Sequence, residues 1–252
     1  MEIDVVQLCA LARQAGAAIM DVYQRDHQVE IKADASPLTV ADRLSHEVIV
    51  AGLKTLTPDI PVLSEEGRDI PYTERQSWET FWLVDPLDGT KEFIKRNGEF
   101  TVNLALIEKT RPILGIIFVP AQNDCYFGIK GRGAWRQHGD EPVVSINVSK
   151  PDKKSGLTVV ASRSHPSPEL EDYLIKQPVK RTISVGSSLK FCAVAEGRAD
   201  LYPRFGPTME WDTAAGQAIV EAAGGHVRTM EGRSLVYNKS SLLNPHFIVG
   251  AG

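Results

Sequence analysis

The chain has 252 residues, 42% of them hydrophobic and 24% charged, with a formal net charge of −4. This length supports one large domain or two small coupled ones around a sizeable core. The acidic balance argues against DNA or RNA as a partner, because counterion release needs a basic surface; a small anionic substrate stays compatible if bound cations reverse the local field.

The opening Met1-Glu2-Ile3-Asp4 has no basic or apolar leader region, and no apolar run is expected to reach the length of a membrane span. A cytoplasmic protein without a transmembrane segment is therefore expected. Val5, Leu8, Cys9, Ala12, Ala15, Ile19 and Val22 recur at helical spacing and predict an amphipathic helix. After a turn-rich stretch at Ala35-Ser36-Pro37, Thr39 reads as an N-cap with Asp42 at the third helical position. Leu44, Val48 and Ala51 are expected to carry this second helix inward.

From Ile60 the period changes. Ile60 to Leu63 reads as a strand ending at Ser64-Glu65-Glu66-Gly67, and Phe81 to Val84 as a buried strand ending at Asp85. Phe100 to Ile107 and Ile113 to Val119 predict paired strands joined through Arg111-Pro112. Gly131 to Ala134 marks a turn, and the polar run Val148 to Lys154 is the expected junction. Beyond it the sequence predicts a strand over Leu157 to Ala161, a helix over Pro168 to Lys176 and a strand over Thr182 to Val185. A helix over Ser187 to Glu196, a strand over Asp200 to Tyr202, a helix over Thr213 to Ala223 and a strand over Phe247 to Val249 follow. The expected class is α/β: an α+β half over residues 1–150 and an α/β half over 151–252, together one catalytic unit.

Cys9, Cys125 and Cys192 are odd in number and widely spaced, without a CxxC pair. Cys9 and Cys192 fall in apolar helical patterns and read as reduced core thiols. The six histidines show no ligand spacing, so zinc is not expected.

Acidic residues recur at the ends of apolar runs and the starts of helices: Asp42, Glu65, Asp85, Asp88 and Asp212. Such positions are where α/β proteins place ligands. Hard cations such as Mg²⁺ take oxygen donors, a few carboxylates completed by water and substrate phosphate. Asp85 and Asp88, three apart around Pro86-Leu87, can face one ion or two neighbouring ions, and the Leu87 carbonyl can add an oxygen. Gly89 permits close approach of backbone to a ligand, and Thr90 opens a helix-like segment whose free N–H groups favour phosphate. Thr90 can also hold a nucleophilic water, with Asp42 orienting it or taking its proton. Any single Asp at a strand end is ordinarily a turn or cap residue. Five carboxylates meeting at one site would repel each other and a phosphate unless cations intervene. Glu66 reads as solvated.

The motifs Trp82-Leu83-Val84-Asp85-Pro86-Leu87-Asp88-Gly89-Thr90 and Trp211-Asp212-Thr213-Ala214-Ala215-Gly216, with the closing Gly224-Gly225, resemble the two signatures of the inositol monophosphatase family. The resemblance runs over nearly the whole chain. It implies a layered αβαβα sandwich, and two or three Mg²⁺ ions held by Glu65, Asp85, the Leu87 carbonyl, Asp88 and Asp212. It also implies water activation by Thr90 and Asp42, and lithium sensitivity.

Ser187-Ser188-Leu189-Lys190-Phe191-Cys192 and Leu201-Tyr202-Pro203-Arg204-Phe205-Gly206 resemble the branch of bacterial 3'(2'),5'-bisphosphate nucleotidases. There, residues matching Ser187, Lys190 and Arg204 bind the second phosphate or the sugar; an arginine suits a phosphate through bidentate bonding. Ser162-Arg163-Ser164-His165 is similar to that branch as well, with His165 near the adenine. The substrate contacts implied are Glu65, Leu87, Asp88, Gly89, Thr90, His165, Ser187, Lys190, Arg204 and Asp212. The implied substrate is a small phosphorylated nucleotide, adenosine 3',5'-bisphosphate from sulfur metabolism, cleaved to AMP and phosphate. Bacterial relatives are described as soluble or loosely held at the cytoplasmic face of the inner membrane. The rival readings are an inositol- or sugar-monophosphate phosphatase and a non-catalytic phosphonucleotide sensor.

Overall fold

The structure, a computed structural model, describes residues 3–25, 37–67, 70–151, 154–162 and 168–251. His165 and the Ala35-Ser36 turn lie outside the described residues. The chain opens with α1 (Val5–Arg25) and α2 (Pro37–Leu56), followed by β1 (Val62–Ser64), a 3-10 turn over Glu65–Gly67 and the short α3 (Tyr72–Arg75). Next come β2 (Thr80–Asp88), α4 (Thr90–Ile94), β3 (Thr101–Glu108), β4 (Arg111–Val119), β5 (Asp124–Ile129), β6 (Gly133–His138) and β7 (Val144–Ile146). The remainder is β8 (Leu157–Ser162), α5 (Pro168–Ile175), β9 (Val179–Val185), α6 (Leu189–Ala195), β10 (Leu201–Arg204), α7 (Glu210–Ala222), β11 (His226–Thr229) and β12 (Phe247–Gly250).

The first seven strands form one sheet in sequence order, antiparallel except for the parallel β1–β2 pair. The last five form a second, mixed sheet in the order β11-β12-β10-β8-β9. Helices α1 and α2 cover one face of the first sheet, α6 and α7 lie between the two sheets, and α5 is the crossover between parallel β8 and β9. This is the expected layered α/β sandwich.

Strand alternation divides the core in two. Phe81 and Leu83 face α6, α7 and the second sheet, whereas Trp82 and Val84 face α1 and α2. Burial on both faces explains why these strands read as continuous apolar runs. Gly115 on β4 lets α7 approach the sheet: a Cβ there would lie 2.8 Å from the Ala218 Cβ and run into the Ala215 carbonyl.

Several expectations are corrected. Helix α2 begins at Pro37, so Thr39 lies inside its first turn rather than at the cap; proline suits the first helical position because the missing N–H is unpaired there anyway. The inward face of α2 is Ala41, Ser45, Ile49 and Leu53, all fully buried, with Leu44 and Val48 beside it and Ala51 exposed. The hydroxyl of Ser45 hides that stripe from a hydrophobic count. Arg111 and Pro112 belong to β4 itself, the turn being Lys109-Thr110. Helix α7 starts at Glu210, three residues earlier than expected, and α6 at Leu189, leaving Ser187 outside. Helix α1 is long and apolar enough to cross a membrane by length and composition, contrary to expectation. Here its Leu8, Leu11, Ala12, Ala15 and Ile19 are buried against α2 and the first sheet. All three cysteines are free and buried.

Candidate active site

The site is built where β2 breaks its regular pairing. Asp85 pairs with Asn103 and Asp88 with Thr101, so three steps on β2 match two on β3. The extra residue makes a bulge, the device by which strands re-aim side chains near functional sites. Asp85 Oδ1 accepts from the Leu87 amide at 3.1 Å, which holds the turn, while the Leu87 side chain is buried in the α1/α2 core. Ser45 Oγ donates to the Pro86 carbonyl at 2.8 Å, tying this segment to the helix that carries Asp42.

Gly89 follows with φ of +101°, a left-handed conformation open to glycine. A Cβ there would come within 3.1 Å of the Ser187 Cβ, so the two loops meet at this point. Thr90 opens α4 and is exposed to solvent.

Asp212 is the third residue of α7. Its Oδ2 accepts from the Met209 amide at 2.8 Å, fixing one oxygen at the helix start. A buried network holds the base of α7. Glu210 accepts from the Asn238 and Lys239 amides and from Lys239 Nζ, and Arg75 donates to Asn238 Oδ1 and to the Lys239 and Ser240 carbonyls.

The carboxylates feel one another. Burial pushes Asp85 well above the usual carboxylate range, reinforced by Asp88, Glu65, Asp212 and Asp42. Asp42 is pushed up to about 8 by burial and by Glu66 and Glu65; Asp212 rises to about 7 through burial and the Asp88 charge. Glu66, read as solvated, is exposed, and its charge adds to the rise at Asp42. Among the described residues no three acidic, histidine or cysteine side chains close into a finished ligand cluster. The donor set nonetheless fits a hard cation: it is entirely oxygen, burial and its own carboxylates raise the pKa of Asp85 among them, and Asp42 Oδ1 is buried without a partner.

A cavity of about 300 Å³ opens beside them, lined by Asp88, Gly89, Thr90, Ser187, Lys190, Arg204 and Asp212. Asp42, Glu65, Asp85 and Leu87 are not on its wall and reach it through the shared field and the β2 bulge. Lys190, on the same wall, is buried, its pKa pushed down to about 8 by burial. Arg204 bonds the Pro207 carbonyl through Nη2, and its Nε is buried without a partner, as is Ser187 Oγ. Ser187 adopts φ of +42°, uncommon for a residue with a side chain. Sequence reasoning missed Phe191, Tyr202 and Phe247, whose rings pack together beneath the cavity. Their apolar character reads as ordinary core. It also left Ser188 without a role.

The sequence pattern of the inositol monophosphatase family matches residues 2–248. The chain belongs to the inositol monophosphatase family. Among members of the family, a 3'(2'),5'-bisphosphate nucleotidase CysQ from Escherichia coli is 54% identical over 248 residues, covering 96% of this chain and 98% of the relative. The crystal structure of CysQ from Bacteroides thetaiotaomicron, a bacterial member of the inositol monophosphatase family, superposes with a TM-score of 0.88 at 46% identity. It covers 98% of this chain and 97% of that one. An inositol monophosphatase from Anabaena, 24% identical with a TM-score of 0.74 over 98% of this chain and 89% of its own, shares the fold.

Proposed function

We propose that the protein is a Mg²⁺-dependent 3'(2'),5'-bisphosphate nucleotidase that hydrolyses the 3'-phosphate of adenosine 3',5'-bisphosphate to AMP and phosphate. The observation that carries this reading is the polarity of the cavity. Its wall carries the carboxylates Asp88 and Asp212 together with two cations, the buried Lys190 and the half-buried Arg204. In this reading a monophosphate engages the carboxylates through bound cations alone, and a bisphosphate engages Lys190 and Arg204 as well.

In this reading Glu65, Asp85, the Leu87 carbonyl, Asp88 and Asp212 hold two or three Mg²⁺ ions. Bound Mg²⁺ supplies charge neutralisation for the scissile phosphate and acidity to coordinated water. The Thr90 hydroxyl holds the attacking water and Asp42 takes its proton, as the water oxygen bonds to phosphorus and the bond to the ribose 3'-oxygen breaks. Gly89 brings main chain against the phosphate. Ser187, Lys190 and Arg204 receive the second phosphate and sugar, with charge-assisted bonds from the guanidinium. The enzyme works in the cytoplasm, free or at the inner face of the membrane.

The test is phosphate release across bisphosphate nucleotides, inositol phosphates and sugar phosphates, with Mg²⁺, with chelator and with lithium. The reading expects preference for the bisphosphate nucleotide, loss in chelator and inhibition by lithium. Faster cleavage of inositol 1-phosphate would overturn the substrate assignment, and undiminished release in chelator the metal one.

A further inference from the structure

Ser188 lies between the bulged strand, the second sheet's helix layer and α7. It is 1% exposed, and its Oγ meets three polar groups. Asn103 Nδ2 donates to it at 2.9 Å. It donates to Asp88 Oδ2 at 2.7 Å, with the Asp212 carbonyl at 3.2 Å. A hydroxyl has one hydrogen, and the shorter, carboxylate partner takes it.

The direction of this relay is fixed upstream. Thr101 Oγ1 donates to Asn103 Oδ1 at 3.0 Å, which turns the amide nitrogen of Asn103 toward Ser188. With its acceptor side filled by Asn103, Ser188 has only its hydrogen to offer Asp88. Thr101 and Asn103 are themselves the β3 partners of Asp88 and Asp85. The relay therefore leaves the bulge on β3 and returns to it through a residue of the other half of the chain.

We propose that Ser188 is the positioning residue for Asp88: its hydroxyl occupies Oδ2, fixes the rotation of the carboxylate and presents Oδ1 to the cation. This rests on the reading of Asp88 as a Mg²⁺ ligand. Removing such a partner weakens metal binding by roughly 10–100-fold in proteins generally.

The test is calorimetric titration of the whole protein with Mg²⁺ alone, for wild type, Ser188→Ala, Ser188→Thr and Asp88→Asn. The expected result is Mg²⁺ binding at least about tenfold weaker in Ser188→Ala and within about threefold of wild type in Ser188→Thr, which keeps the hydroxyl. In turnover assays the Mg²⁺ concentration for half-activation shifts in parallel, and kcat at saturating Mg²⁺ recovers. A merely structural serine would lower the melting temperature in chelator and leave the Mg²⁺ affinity alone. Affinity in Ser188→Ala within twofold of wild type, or equal losses in the Ala and Thr variants, overturns the proposal. Should Ser188→Ala fail to fold, Asn103→Ala carries the test: the unanchored hydroxyl should weaken Mg²⁺ binding severalfold, and no change overturns it. If Asp88→Asn itself leaves Mg²⁺ binding intact, the ligand reading fails instead, and the two failures are told apart.

Discussion

Lys190 Nζ donates to the Ser187 carbonyl at 2.6 Å, so a buried ammonium is pinned beneath the loop that meets Gly89. Its charge is the weakly held one in the cavity. Burial pushes it down from 10.5 to about 8, with Arg204 adding to the fall and Asp88, Glu92 and Glu99 opposing it. Above about pH 8 the unliganded site therefore loses this cation. KM for adenosine 3',5'-bisphosphate is expected to climb from pH 8 to pH 9.5, and in Lys190→Met to be high and flat across the same window. For stability the sign is opposite: between about pH 8 and 10.5 the unfolded chain binds more protons at this residue, so its burial penalty is relieved as pH rises. Steady-state pH profiles of the two proteins check the kinetic half.

The carboxylates give the reverse slope. Asp42 and Asp212 are raised to about 8 and about 7, so the folded, metal-free state holds protons that the unfolded chain releases near pH 4. Their contribution is present below pH 4 and is lost as pH climbs through 7 to 8. In chelator the melting temperature should fall between pH 5 and pH 8, and Mg²⁺ should raise it more at pH 8 than at pH 5. Melting scans at the two pH values, with and without Mg²⁺, decide; an equal Mg²⁺ effect at both contradicts the argument.

Arg204 separates substrates. Loss of a charge-assisted phosphate contact removes about 1.5–3 kcal/mol, so Arg204→Ala should lower kcat/KM for the bisphosphate by roughly 10–100-fold and leave a monophosphate ester within about threefold. Equal losses on both would take Arg204 out of recognition of the second phosphate.

Packing under α7 makes a prediction about stability and site together. Gly115→Ala forces a methyl against the Ala215 carbonyl and the Ala218 side chain. Overpacking of this kind costs about 1–3 kcal/mol, a melting-temperature drop of roughly 2–12 °C for a chain of this size. The displaced helix carries Asp212, so activity at low Mg²⁺ should fall as well. Gly67→Ala is the control, since among the described residues a Cβ there meets His46 alone, at 3.7 Å; its melting temperature should stay within about 2 °C.

The strands through Leu83 and Leu104 were legible because both faces of the first sheet are buried and the sequence runs apolar without alternation. The motif from Asp85 to Thr90 was legible for a different reason: its residue types make sense only around an oxygen-seeking ligand. Strands β6, β7 and β11 were not legible, being short and half-exposed, and β5, though largely buried, is a six-residue strand whose apolar run is interrupted by Asp124 and Gly128. Ser45 and Ser188 escaped because a buried serine carries no periodic signal; only its partners, 41 and 100 residues away along the chain, reveal what it holds. The same distance hides the meeting of Lys190 and Arg204 with the carboxylates, since nothing local in either segment points to the other.

The clamp from Arg75 through residues 238–240 to Glu210 sets an order of events during synthesis. The motif of Asp85 and Asp88 leaves the ribosome early, yet the start of α7 is not held until residues 238–240 have followed it. A nascent fragment ending before Asn238 would lack the bonds to Glu210 and Arg75 that hold the base of the helix carrying Asp212. The clamp can therefore close only after about 150 residues beyond Asp88 have been added, at the ribosomal pace of roughly 5–20 per second.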